Sequence, residues 1–173
     1  MKTKNSLNHI KNCLNLSQQV NTMSNLTFLT DFMAKTGQNK ADIARRVGVT
    51  SSAVSDWFKR DDMRLSTALR ILDSYNCDIK FTLHKAEEPT MMYFGFLNTI
   101  NIDALDFESK RLTSLKQAIK ASGWTMKRVA EEIGVTPETL TYYWNTDDCP
   151  ISAFYKIGKL TSHTVSYSIN SKL

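Results

Sequence analysis

The chain is poor in the residues that build metal centres, disulfide frameworks and catalytic clusters. It has three cysteines, Cys13, Cys77 and Cys149, an odd number with no C-x-x-C pair, so ordinary reduced thiols are expected in place of a disulfide framework or a zinc knuckle. His9, His84 and His163 are equally scattered, with no H-E-x-x-H spacing, and no Gly-rich phosphate loop or nucleophile elbow is present. The expectation is a protein with no cofactor, no metal and no enzymatic activity. No apolar run approaches the roughly 18 to 20 residues that cross a bilayer, and residues 1–20 are too polar for a secretory signal. A cytoplasmic protein without a membrane partner follows as the default.

The formal net charge is a modest +5, but it is unevenly placed. Residues 1–26 carry three cations and no anion, residues 27–85 ten Lys/Arg against seven Asp/Glu, and residues 113–173 seven against five. The stretch between, residues 86–112, reverses to two against five. Two basic regions flank an acidic one. A basic module suits a phosphate backbone, and a solvated mixed-charge surface accounts for so small an excess equally well.

Glycine and proline, at six and three residues, are too few for a loop-rich fold, and the glycines are spaced regularly. Gly37 and Gly123 lie 86 positions apart, as do Gly48 and Gly134. The same offset superposes Leu26, Ala44, Val49, Thr50, Asp61, Asp62, Ser66 and Ile71 on Leu112, Ala130, Val135, Thr136, Asp147, Asp148, Ser152 and Ile157 without a gap. From Thr27 to Lys85 only 11 of 59 positions are identical, yet the apolar positions and turn residues agree, and those set a fold.

Each copy reads as helical. Leu26, Leu29, Phe32 and Met33 form an apolar stripe that ends before Gly37, matched by Leu112, Leu115, Ala118 and Ile119 before Gly123. A second helix, over about Lys40 to Val47, stops at Gly48, where a positive φ is tolerated. Thr50 then caps a third helix that turns Val54 and Trp57 or Phe58 inward. In the second copy Thr136 is the cap and Pro137 takes the first helical position, where its missing N–H costs little. Ser66 and Ser152 read as N-caps of a fourth helix. The period then changes from 3.6 to 2 at Ile79, Phe81 and Leu83, and at Val165, Tyr167 and Ile169, which predicts one strand at the end of each copy.

The Ala, Gly, Val and inward apolar positions, Ala44, Gly48, Val49, Val54 and Trp57, then Ala130, Gly134, Val135, Leu140 and Tyr143, together resemble the Cro/repressor-type, lambda-repressor-like (XRE-type) helix-turn-helix family. The resemblance spans nearly all of both copies, departing from the pattern at Lys40 and Met126, where glutamine is common. It implies a mainly α fold of two tandem helix-turn-helix domains, each of about four helices followed by one short β-strand, the strands paired in a small antiparallel sheet. The expected division is an arm over 1–24, either a short helix or a loose basic tail, a first domain over 25–85, an acidic linker over 86–110, and a second domain over 111–173. Residues 91–97 in the linker read either as a hairpin strand or as a core-covering segment. The terminal strands, Ile79 to Leu83 and Val165 to Ile169, leave open edges that pair either within the chain or across a homodimer.

By the same resemblance the partner is double-stranded DNA, and two reading helices about one turn apart, roughly 34 Å, suit two half-sites. The candidate contacts of the first copy are Lys40, Arg45, Arg46, Thr50, Ser51, Ser52, Ser55, Asp56, Lys59 and Arg60. Those of the second are Thr136, Glu138, Thr141, Tyr142 and Asn145. Serine and lysine can reach base edges or phosphates, whereas Glu131, Glu132 and Glu138 would repel phosphate, so the first copy is expected to be the principal reader. For Arg45 and Arg46 a solvated helix face is as good a reading as a phosphate contact. Tyr142, Tyr143 and Trp144 read as core and rim aromatics before base stackers. The repeated aspartate pairs suggest turns more than paired-carboxylate chemistry.

The leading function is sequence-specific transcriptional regulation, with repression first. Two other classes stay open: an antitoxin-like protein whose second domain holds a protein partner, and an interaction module that has lost DNA.

Overall fold

The computed structural model describes residues 15–19, 24–85 and 111–172. The segment 91–97 and most of the arm and linker lie outside them. Among the described residues the chain forms eight helices and three strands: β1 Asn15–Gln19, α1 Thr27–Thr36, α2 Lys40–Val47, α3 Ser51–Arg60, α4 Leu65–Ser74, β2 Cys77–Lys85, α5 Thr113–Ala121, α6 Met126–Ile133, α7 Pro137–Thr146, α8 Ile151–Leu160 and β3 His163–Ser171. The mainly α class is as expected. Each element from α5 to β3 begins 86 residues after its counterpart between α1 and β2.

Local chemistry explains the coincidence. Gly48 and Gly134 hold φ of 70° and 79° as the caps of α2 and α6, and the following Val49 and Val135 N–H groups return to the Ala44 and Ala130 carbonyls. Thr50 and Thr136 each accept an N–H from three residues on, Ala53 and Thr139, and so start α3 and α7. Asn39 and Asp42 add a capping box to α2 that the second copy lacks. Val54 and Leu140 are the buried anchors of the two third helices.

The sheet has the order β1-β3-β2, antiparallel throughout. In the β2–β3 pair Phe81 lies opposite Tyr167, the residue 86 positions on, so a local two-fold passes between them. Ile79, Leu83, Val165 and Ile169 alternate with polar residues and join the core as anticipated. Phe28 packs edge-on against Phe81 and Tyr167, with ring centroids 5.7 and 6.2 Å apart, and Phe81 continues to Phe154 at 5.9 Å. One aromatic core therefore runs through both copies. Burying each such ring contributes about 1.5–3 kcal/mol.

Two expectations change. Asn15–Gln19 is neither helix nor loose arm: it pairs along β3, Leu16 opposite Ile169. Ser66 and Ser152 are not N-caps. Arg64 and Pro150 hold that position, with no side-chain cap of their own. Each serine instead gives its N–H and its hydroxyl to an aspartate of the other copy, Ser66 to Asp148 at 2.9 and 2.8 Å, and Ser152 to Asp62 at 3.1 and 2.6 Å. The helix starts are capped reciprocally, across the two-fold.

Candidate nucleic-acid interface

In each copy two helices meet through a turn that leaves one face of the second helix in water. On α3 that face is Ser51, Ser52, Ser55, Asp56, Lys59 and Arg60, all exposed. The spacing of Ser52, Ser55, Asp56 and Lys59 follows i, i+3, i+4, i+7, which lines them along one stripe. The helix has no acid in its first turn, and Lys59 and Arg60 sit in its last. Thr50 Oγ1 also lies 3.2 Å from Ser52 Oγ, fixing the stripe's upper end.

The other predicted cations of the first copy are less free. Lys40 holds its ammonium 4.4 Å above the Phe58 ring. Arg46 donates from Nε to the Ser74 carbonyl at 2.7 Å and lies over Tyr75, tying α2 to the end of α4. Arg46 stays exposed, and the bond joins it to a residue 28 positions away in sequence. Arg45 is exposed and makes an ion pair with Asp42 at 3.2 Å, worth little in water. Arg60, exposed, bonds the Asp56 carbonyl at 3.4 Å from Nε.

On α7 the matching stripe is Glu138, Thr141, Tyr142 and Asn145. Thr141 turns its hydroxyl to the Pro137 carbonyl, while Tyr142 is 52 % exposed. Tyr143 is buried and Trp144 half-buried, as core and rim aromatics should be. Glu138 sits at the α7 N-terminus, where its own backbone N–H and the Thr136 hydroxyl lower its carboxyl pKa. It therefore keeps its negative charge, and α6 exposes Glu131 and Glu132 together with the cations Lys127 and Arg128.

Between the copies, at the two-fold, lies Arg64, a residue the sequence did not single out. Its neighbour across the axis is Pro150, its own counterpart, and the bridge is closed by Leu65 N–H to the Cys149 carbonyl at 3.0 Å and Ile151 N–H to the Met63 carbonyl at 2.9 Å. The Arg64 guanidinium is 3.5 Å from Asp148 and lies 5.5 and 6.0 Å from the Tyr142 and Tyr143 rings. Trp57, Arg60, Asp62, Met63, Arg64, Thr67 and Pro150 line a cleft of about 410 Å³ here. Pro150, one of three prolines and aligned with Arg64, was the available clue.

Residues 29–80 match the family model of the Cro/C1-type HTH DNA-binding domain. Residues 113–144 match a second model, that of the bacterial regulatory protein, Fis family. Both are helix-turn-helix matches. The first spans α1 to β2, and the second α5 to α7 only. No curated protein and no solved structure matches the chain. The two matches support a DNA-binding regulator. Among the described residues no helix is long and apolar enough to cross a membrane, and no group of His, Cys, Asp and Glu could hold a metal ion.

Proposed function

We propose that the protein is a sequence-specific transcriptional repressor, working in the cytoplasm, whose main reading head is α3. The observation that carries this reading is the outward stripe of α3, polar and cationic, standing on a helix-turn-helix whose sequence matches a Cro/C1-type model. Ser52 and Ser55 can donate to or accept from base edges, and Lys59 can reach guanine or phosphate. Ser51, Asp56, Arg60, Arg45 and Thr50 frame that stripe, and Lys40 stands at the start of α2. Repression then needs nothing beyond occupancy of a promoter.

In this reading residues 25–85 and 111–173 are two lambda-repressor-like domains of one tandem repeat, joined by the 86–110 linker. The equal starts of their elements support this assignment. The second copy contributes Thr136, Glu138, Thr141, Tyr142 and Asn145 as a weaker head. Asn can pair with adenine and Glu can accept from cytosine.

One observation favours a second reading for α6 and α7: Glu131, Glu132, Glu138 and Tyr142 are all exposed on them. That surface suits a basic protein partner, as in an antitoxin-like regulator. Selection of duplexes from a random pool by the intact chain, at near-physiological salt, separates the two. Recovery of a defined sequence supports the reader. Recovery of nothing above background shifts the function to a protein partner.

A further inference from the structure

We propose that one chain is a complete two-headed reader with a fixed direction on DNA, its second copy standing permanently where another regulator would place a second subunit. The inference rests on the DNA reading above for its ligand, but not for the pairing of the copies. That pairing has three parts. Phe81 and Tyr167 meet on the strand two-fold. Arg64 and Pro150 meet on the same two-fold at the other end, flanked by matched N–H to carbonyl bonds. The Asp62–Ser152 and Asp148–Ser66 contacts then exchange helix caps between the copies. These three contacts join the copies within one chain.

Direction follows from the side chains. α3 ends at Arg60 and α7 at Thr146, each four residues before the paired Arg64 and Pro150, so both reading helices run toward the axis. On the α3 side the approach carries Lys59 and Arg60, while Arg64 turns its guanidinium across the axis to Asp148 and Tyr142. On the α7 side the same places hold Asn145, Thr146 and Pro150. A homodimer presents the same chemistry to both halves of its site and has no polarity. This chain presents cations to one half and a neutral, acid-flanked surface to the other. Its ligand is a non-palindromic duplex of two unlike half-sites, one chain per site.

The experiment has two arms. Light scattering of the free protein over a hundredfold range of concentration should give the mass of one chain throughout. A dimer overturns the proposal whether or not DNA is bound. Footprinting on the selected duplex is then compared for the intact protein, Lys59→Ala and Asn145→Ala. Lys59→Ala should weaken protection over one half of the footprint and Asn145→Ala over the other, with one chain per duplex. Inserting about five base pairs, half a helical turn, between the halves should reduce affinity at least tenfold. Loss on both halves with Lys59→Ala, or two chains per duplex, would mean that two α3 helices from two chains read the site, and overturns the proposal. A single-chain mass with no retained duplex supports the internal pairing, overturns the directional claim and counts against the DNA reading itself.

Discussion

Lys59 and Asn145 occupy the same place on their helices, as do Arg45 and Glu131, Arg46 and Glu132, and Ser52 and Glu138. The backbone beneath them scarcely differs. Both third helices start at a threonine cap, run ten residues and stop at a left-handed aspartate, Asp61 or Asp147. The two helix-turn-helix regions meet the same buried requirements of the turn while their water-facing positions differ in charge. Shape in this molecule is therefore set by the interior and turn residues, and ligand chemistry by a separate set that the fold does not constrain.

The largest test of that separation is on DNA. Ser52→Ala combined with Lys59→Ala should reduce discrimination between sites by about 1–3 kcal/mol for each good hydrogen-bonded base pairing removed. Glu138→Ala with Asn145→Ala should cost less in the same binding assay. A larger effect from the second pair would reverse the ranking of the two heads.

Next in size is the exchange of caps. Asp148 is 8 % exposed and accepts the Ser66 N–H, the Ser66 hydroxyl and Arg64. Asp148→Ala should destabilise the whole chain by about 2–4 kcal/mol, since bonds to a charged acceptor are the stronger kind and the Ser66 N–H loses its partner. For a chain of this length that lowers the melting midpoint by roughly 5–15 °C. Asp62→Ala should cost less, its carboxylate being more open to water. Two separate melting transitions in either variant would show that the copies do not depend on each other's caps.

The turn glycines give a smaller and more even effect. A Cβ added at Gly48 or Gly134 would meet nothing within 4 Å, so alanine there costs only the left-handed backbone, about 1–2 kcal/mol in each copy. Denaturant unfolding should return nearly equal losses for the two variants. The smallest effect is on pH. Because the folded carboxyl of Glu138 is depressed, its stabilising contribution is present above the unfolded value of about 4.3 and fades as pH falls through the folded one. Glu138→Gln should flatten that part of the melting-midpoint profile and leave neutral pH almost unchanged.

Most of the helical architecture was legible because its determinants are local. Gly48, Thr50 and Val54 each act on residues within four or five positions, and a repeat displays the same signals twice. Contacts between distant residues were not legible. Asp62 and Asp148 looked like turn residues because the serines they cap lie 90 and 82 positions away. Arg46 is exposed as helical spacing suggests, but its bond to the Ser74 carbonyl was not legible for the same reason. β1 escaped notice because Asn15–Gln19 has a single large apolar residue, Leu16, too little alternation to register as a strand before β3 is known to lie beside it. At the interface the outward stripe followed directly from helical spacing, whereas Arg64 emerged only once the two-fold brought it beside Pro150, Tyr142 and Tyr143.

Gly158 in α8 is packed so that a Cβ would come within 3.1 Å of Val165 and 3.3 Å of Leu83. Its counterpart in α4 is Leu72, fully buried. Tyr167 gives its hydroxyl to Asp31, while the matching positions, Phe81 and Gln117, hold no hydroxyl and no carboxylate. These are one-time fits. Two first copies would bring a second leucine to a place that has room for a hydrogen atom, and two second copies would leave a void where Leu72 now sits, either change costing several kcal/mol in a packed core. Neither half is therefore interchangeable with the other: each is shaped to a partner that differs from itself.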